Sequence, residues 1–171
     1  MITRHDLLDW LKSVDSKLSQ KMMIVAVGGT ALTLLGLKES TRDVDFCISK
    51  EYFAEFKKAA VSERFVVDLF QEGYIFAVQL PKDYTEKAET VHFSGKRLLL
   101  KTLSVEDIIL TKTARFNNRD IEDIKAVVAS RKVELKDLRK RFLQILETYA
   151  GREEDYTYHF DLVMKIFFGE K

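Results

Sequence analysis

Cysteine, proline and glycine are all scarce in this sequence of 171 residues. The single cysteine, Cys47, excludes an internal disulfide and a cysteine-rich metal site, and it is typical of a reducing compartment. One proline, Pro81, and seven glycines leave no Pro/Gly-rich linker along the chain. The length therefore favours one compact domain with a sizeable core.

An excess of one charge and a long apolar run are also lacking. Lys and Arg together number 28 against 27 Asp and Glu, which gives a formal net charge of +1. This balance removes any argument from bulk charge for binding nucleic acid or an anionic membrane. No apolar run approaches the roughly 20 residues of a membrane helix, and Asp6, Asp9 and Asp15 argue against a signal peptide. We expect a soluble, cytoplasmic protein with no membrane partner.

The apolar periodicity predicts a helix, a mixed sheet and then a helical C-terminal part. Strands are predicted at residues 22–27, 43–49, 65–70 and 74–80, with a hairpin of 91–93 and 97–101. Helices are predicted at residues 3–18, 30–37, 51–62, 104–116, 120–130, 135–149 and 153–168. The expected fold class is α/β or α+β. We expect an α/β core at residues 1–103, with residues 104–171 packed on it as a helical cap in one compact unit.

Three aspartates carry the strongest chemical signal. Asp43 and Asp45 lie two residues apart on a predicted strand, so they share a face with Cα atoms roughly 6.5–7 Å apart. At that spacing their oxygens can converge on divalent cations about 3.5–4 Å apart, as in two-metal phosphoryl-transfer sites. Asp68 stands inside the apolar segment 65–70, where a buried charge needs a partner or a metal.

An ion-pair interpretation competes with the metal site. Asp43 could be a turn residue at the start of the strand, while Asp45 or Asp68 could pair with an arginine or a lysine. Arginines at positions 42 and 64 are nearby in the sequence. The combination of three such aspartates with a glycine pair favours the metal site.

That glycine pair lies where a predicted strand passes into a helix, at Gly28-Gly29-Thr30. Without side chains, glycines let backbone N–H groups approach an anion at the start of a helix. The Thr30 hydroxyl could donate to a phosphate oxygen. The alternative is a tight turn with no ligand.

Lys112 falls on the apolar stripe of its predicted helix, four residues after Ile108. A lysine there must extend to solvent or meet an anion. Both a triphosphate oxygen and an Asp or Glu carboxylate remain open as its partner. Arg115, one turn further on, is a weaker nucleotide-binding candidate.

Together, the segments 27–31 and 41–46 with Asp68 resemble the nucleotidyltransferase superfamily of DNA polymerase β type. The pattern of that superfamily is a glycine motif, two acids separated by one residue, and a third acid on a later strand. Residues 103–109 with Lys112 and Arg115 are similar to a prokaryotic branch that contains toxin–antitoxin and abortive-infection nucleotidyltransferases. The resemblance covers roughly residues 24–128. Thr30 follows two glycines here, where many members have serine directly after one glycine.

The resemblance implies a nucleotidyltransferase-type mixed sheet and transfer of a nucleoside monophosphate from an NTP such as ATP, with release of pyrophosphate. It implies that Asp43 and Asp45 bind Mg²⁺ or Mn²⁺, and that Asp68 completes one metal site and helps to activate the acceptor hydroxyl. It implies that Gly28, Gly29 and Thr30 hold the triphosphate, and Lys112 and Arg115 are further nucleotide-binding candidates from their positions on the predicted helix. The acceptor could be a tRNA end, a partner protein or a small molecule.

Two other functions compete with this one. The first is a module of the same fold that binds nucleotide or a partner without turnover, which the complete acidic trio argues against. The second is a metal-dependent phosphohydrolase, which the lack of a histidine cluster disfavours. A local basic run at residues 131–141 is typical of a solvated helix face, although it could guide a polyanion such as tRNA.

Overall fold

The computed structural model describes residues 1–170. The helices are α1 (Arg4–Lys17), α2 (Gly28–Leu34), α3 (Lys50–Ala59), α4 (Tyr84–Lys87), α5 (Val105–Arg115), α6 (Asn118–Ser130), α7 (Leu135–Leu146) and α8 (Glu153–Phe168). The strands are β1 (Ile2–Thr3), β2 (Met22–Ala26), β3 (Ser40–Thr41), β4 (Val44–Ile48), β5 (Val67–Gln71), β6 (Tyr74–Ile75), β7 (Val78–Gln79), β8 (Glu89–Thr90) and β9 (Leu98–Thr102). The predicted combination of a mixed sheet with flanking helices is confirmed.

Helix α1, predicted at residues 3–18, begins at a capping box formed by Thr3 and Asp6. The Thr3 hydroxyl accepts from the backbone N–H of Asp6, and the Asp6 carboxylate accepts from the backbone N–H of Thr3. Leu7, Leu11 and Val14 form a fully buried stripe on the helix. This stripe packs α1 into the core that the sheet shares with the other helices.

Seven strands form the main sheet in the order β7-β6-β5-β4-β2-β9-β8. Strand β4 lies in the centre, antiparallel to β2 on one side and parallel to β5 on the other. Strand β2 is parallel to β9, which leads directly into α5. The end of β2 and the starts of β4 and β5 therefore meet at one edge of the sheet.

Residues 74–80, predicted as one strand, form the short hairpin β6–β7 instead. The reason is Phe76, whose φ of 53° is left-handed and interrupts the extended backbone between the two strands. The hairpin places Phe76 beside β5, and that position matters for the site described below.

The predicted hairpin near Gly95 is shifted as well. Strand β9 pairs with residues 89–90 rather than 91–93, and residues 91–97 form a loop. The loop is held by the carboxylate of Asp15, which accepts from the backbone N–H groups of Lys96, Arg97 and Leu98. Burial alone would raise the pKa of Asp15, but these three donors hold that pKa below its ordinary value.

The C-terminal helices pack around α5. Phe116 adopts a left-handed conformation that ends α5, and Asn117 caps α6, which begins at residue 118 rather than near 120. Arg141 of α7 is buried and binds the carboxylate of Asp107 on α5 through both Nε and Nη2, at 2.7 Å each. Among residues 1–170, none of the helices is long and apolar enough to cross a membrane.

Candidate active site

The sheet brings the three predicted aspartates to one face. In the parallel pair β4–β5, Asp45 is in register with Asp68. Paired residues on neighbouring strands project to the same side, with backbones about 4.8 Å apart. Asp43 lies in the bend immediately before β4, two residues ahead of Asp45, and its charge acts on Asp45. Asp43 and Asp68 are exposed, whereas Asp45 is partly buried.

The glycine pair lies on the opposite flank of Asp45 from Asp68, because β4 lies between β2 and β5. Gly28 has a φ of +56°, and a Cβ at this position would stand 3.0 Å from Oδ2 of Asp45. At Gly29, a Cβ would stand 2.6 Å from Oγ1 of Thr41. Gly28 thus approaches Asp45 of β4, whereas Gly29 approaches Thr41 of β3, and neither position has room for a side chain.

The structure corrects the prediction for Thr30. Its side chain is fully buried, and its hydroxyl accepts from the backbone N–H of Asp45 at 2.9 Å. The same hydroxyl donates to the backbone carbonyl of Asp43 at 3.2 Å. Because these bonds use the hydroxyl inside the fold, Thr30 fixes the backbone that carries the two aspartates and does not present a donor to a phosphate.

Electrostatic repulsion is concentrated on Asp45. Burial and the negative charges of Asp68 and Asp43 raise the pKa of Asp45 to about 6, although Lys112 and Arg115 act in the opposite direction. Within residues 1–170, no Lys or Arg forms an ion pair with any of these three aspartates. The site is a group of like charges without a direct counter-ion.

Lys112 meets carboxylates, which was one of the two partners left open. Its side chain is 5% exposed, and Nζ lies 2.7 Å from Oδ2 of Asp123 and 3.6 Å from Oδ1 of Asp120. Lys38 binds the other oxygen of Asp123 at 2.9 Å. The lysine is thereby held in an ion cluster between α5 and α6, and its charge acts on Asp45 from a distance.

Arg115 extends from that cluster toward solvent. Nε and Nη2 each donate to Asp120 at 2.8 Å, while the side chain remains 58% exposed. Burial alone would raise the pKa of Asp120, but Arg115 and Lys112 hold it below its ordinary value. This bidentate pair fixes the guanidinium in place.

Two aromatic residues near Arg115 were not among the predicted site residues. The guanidinium carbon of Arg115 lies 5.7 Å from the ring centroid of Phe76, and the Phe70 ring lies 5.1 Å from the Phe76 ring. Phe70 is two residues after Asp68 and shares its face of β5. Local sequence gave no signal for this arrangement, because it depends on the left-handed backbone at Phe76.

A cleft of about 270 Å³ opens beside Asp43, with Arg42, Arg64 and Val66 among its lining residues. A larger groove of about 480 Å³ lies between α3 and β5, and its lining does not include the three aspartates. The smaller cleft reaches the acidic face of Asp43, Asp45 and Asp68 only at Asp43, and neither cleft is lined by Asp45 or Asp68.

The donor set fits Mg²⁺ or Mn²⁺, because carboxylate oxygens without counter-ions are the ligands that these hard cations prefer. Burial is the largest cause of the raised pKa of Asp45, and the negative charges of Asp68 and Asp43 raise it further. In the described part of the chain, residues 1–170, no three His, Cys, Asp or Glu side chains are already gathered as a ready-made cluster for one ion.

The basic run at residues 131–141 extends from the end of α6 into α7, and several of its side chains pair with carboxylates. Within it, Arg131 pairs with Glu89, Lys132 with Glu134, and Arg139 with Glu170. Arg141 is buried against Asp107 and Asp83. These partners offset part of the charge of the segment, while Lys136 and Lys140 remain exposed, so guidance of a polyanion such as tRNA by residues 131–141 stays a prediction.

Comparison with known proteins shows the family and the fold. Residues 6–168 match the family described as "Nucleotidyltransferase of unknown function (DUF6036)", and the chain belongs to that family. No curated protein matches the sequence. The fold is similar to the crystal structure of ANT(2'')-Ia in complex with adenylyl-2''-tobramycin, with a TM-score of 0.57 and 13% identity. That alignment covers 92% of this chain and 98% of the other.

Proposed function

We propose that this protein transfers a nucleoside monophosphate from an NTP to a hydroxyl acceptor in a reaction that depends on Mg²⁺ or Mn²⁺. The observation that carries the proposal is the in-register pair of Asp45 and Asp68, flanked on the other side by Gly28. An acidic face without counter-ions beside a side-chain-free turn suits a polyphosphate and its cations.

The roles follow from position. Asp43, Asp45 and Asp68 would hold the cations, which when bound neutralise the triphosphate and stabilise charge on the departing pyrophosphate. Gly28 and Gly29 leave room for the triphosphate beside Asp45. Asp68, on the other flank, would orient the acceptor hydroxyl and receive its proton.

Thr30 and Lys112 act through other residues in this scheme. Thr30 holds the backbone of the acidic strand, and Lys112 supplies a positive charge from within its ion cluster. Arg115, which is partly exposed, remains a candidate for direct contact with a nucleotide.

The donor and acceptor are narrowed by general arguments. The adenylyl group named in the ANT(2'')-Ia complex supports ATP as the donor and a hydroxyl as the acceptor. An NTP donor is consistent with the cytoplasmic location expected from the single cysteine. A tRNA end, a partner protein and a small molecule are the acceptor classes to test, and a role in a toxin–antitoxin pair would follow from either macromolecular acceptor.

The test is label transfer from each α-³²P-labelled NTP, with Mg²⁺ or Mn²⁺, to total RNA, to protein and to small hydroxyl compounds. We expect transfer by the wild type and its loss in Asp45→Asn, because that change removes a carboxylate from the cation site. Asp161→Asn, which changes an exposed aspartate on α8, is the matched control and should retain activity. NTP binding without transfer would instead support a non-catalytic nucleotide-binding module.

A further inference from the structure

An aromatic surface beside the acidic face has no role above, except that Arg115 at its edge is a candidate for contact with a nucleotide. It consists of Phe70 and Phe76 with Arg115 at its edge, and we call it the aromatic ledge. Phe76 is 65% exposed although its ring is large and apolar. Its φ of 53° is uncommon for a residue other than glycine and costs conformational energy. Neither feature contributes to burying the core.

The ledge lies on a defined side of the aspartates. Across the sheet the order is β2, β4, β5 and β6, so the Gly28 turn and the ledge flank the acidic pair from opposite sides. Phe70 follows Asp68 on the same face of β5, and Phe76 packs against Phe70 with an interplanar angle of 64°. Arg115 lies at the edge of the ledge, with its guanidinium carbon 5.7 Å from the Phe76 ring centroid.

If the proposed function holds, the Gly28 side and the ledge side of the aspartates bind different reactants of phosphoryl transfer. The acceptor oxygen forms a bond to the α-phosphorus while the bond from that phosphorus to the β-phosphate bridging oxygen breaks. Pyrophosphate leaves with the bonding electron pair, and the hydroxyl proton passes to Asp68 or to water. Because attacking and leaving oxygens stand roughly in line, pyrophosphate on the Gly28 side puts the acceptor on the ledge side.

We propose that the aromatic ledge binds the acceptor, and that the acceptor is a nucleotide whose base stacks on Phe76. Aromatic faces bind bases of any sequence by stacking, and Arg115 is fixed by Asp120 where it can meet an attached phosphate. The acceptor nucleotide could be free or could be the terminal unit of an RNA.

The experiment measures binding, so it does not require turnover. The probes are a short single-stranded RNA with a 5′ fluorophore and a free 3′-hydroxyl, followed by anisotropy, and AMP, followed by calorimetry. We expect Phe76→Ala to weaken binding of at least one probe by about 5- to 150-fold, while Phe76→Trp retains it. Tyr158→Ala removes an aromatic residue that is 63% exposed on α8 and should change nothing.

A fluorescent ATP analogue with Mn²⁺ separates this proposal from the proposed function. Its affinity should be the same in the wild type and in Phe76→Ala. Binding of RNA alone identifies an RNA end as the acceptor, and binding of AMP alone identifies a free nucleotide. The proposal is overturned if the wild type binds neither probe, if Phe76→Ala binds both normally, or if it loses affinity for the ATP analogue instead. Label transfer that persists in any of these cases leaves the proposed function intact.

Discussion

The acidic face and the ion cluster between α5 and α6 are neighbouring groups of charges that differ in whether each charge has a partner of opposite sign. In the cluster, Lys112 and Lys38 share Asp123, and Arg115 holds both oxygens of Asp120. On the acidic face, Asp45 is surrounded by other carboxylates, and its pKa rises to about 6. Paired buried charges hold helices together, whereas gathered like charges destabilise the fold unless something else binds them.

The ion cluster should therefore give the largest loss of stability when it is broken. Lys112→Met leaves Asp120 and Asp123 without their most buried partner, and we expect about 2–4 kcal/mol of lost unfolding free energy. The variant should still fold, because Arg115 continues to pair with Asp120 and Lys38 with Asp123. Urea denaturation measures the effect, with the exposed Lys136→Met as control. Equal stability of the two variants would show that the cluster does not hold α5 to α6.

Removal of a charge from the acidic face should increase the stability of the fold rather than decrease it. In protein without divalent cations, Asp45→Asn removes the repelled charge and should stabilise the fold at pH 7.5 by about 1–3 kcal/mol. A raised carboxyl pKa means that the folded state binds the proton more tightly than the unfolded state. Wild-type stability should therefore fall as the pH rises from about 4 to about 6, and this slope should be weaker in the variant.

Denaturation at several pH values in the presence of a chelator measures this difference. A loss of stability in Asp45→Asn at pH 7.5 would mean that Asp45 is a structural residue like the aspartates of the cluster.

Thr30 is a buried neutral residue whose hydroxyl holds the backbone of Asp43 and Asp45 in place. Thr30→Val keeps the shape of the side chain but leaves the backbone N–H of Asp45 without its partner, which should cost about 1–2 kcal/mol. Thr30→Ser retains the hydroxyl and should lose less. In label transfer, Thr30→Val should lower the turnover rate more than the affinity for NTP, since the hydroxyl does not meet the triphosphate. A loss of NTP affinity with an unchanged turnover rate would instead support the contact between the Thr30 hydroxyl and a phosphate that the sequence predicted.

Local patterns predicted much of the fold and the identity of the acidic residues. The capping box at Thr3 and the alternation through Asp43 and Asp45 are encoded within a few residues, so helix α1 and strand β4 were predictable. The register that pairs Asp45 with Asp68 depends on strands separated in sequence by helix α3. A pattern could place both aspartates on strands, but it could not align them.

Other features depended on packing between distant elements. The sequence left a phosphate and a carboxylate open as partners of Lys112. The carboxylate of Asp123 reaches it only because α6 packs against α5. The buried use of the Thr30 hydroxyl depends on how closely α2 approaches β4. The interruption of the strand at Phe76 is not marked by a proline or a glycine in the sequence. The left-handed backbone of Phe76 is set by the surrounding hairpin.

The most direct measurement of the central claim is the melting temperature as a function of Mn²⁺ concentration, with and without ATP, for the wild type and Asp45→Asn. A cation that binds only the folded state stabilises it by RT ln(1 + [L]/Kd), which is about 2.7 kcal/mol at a hundredfold excess over Kd. We predict that the wild type melts at progressively higher temperature as Mn²⁺ rises, whereas Asp45→Asn, stable from the outset, does not respond. A wild-type melting temperature that stays constant through millimolar Mn²⁺, with ATP present or absent, would contradict the assignment of the acidic face as a cation site.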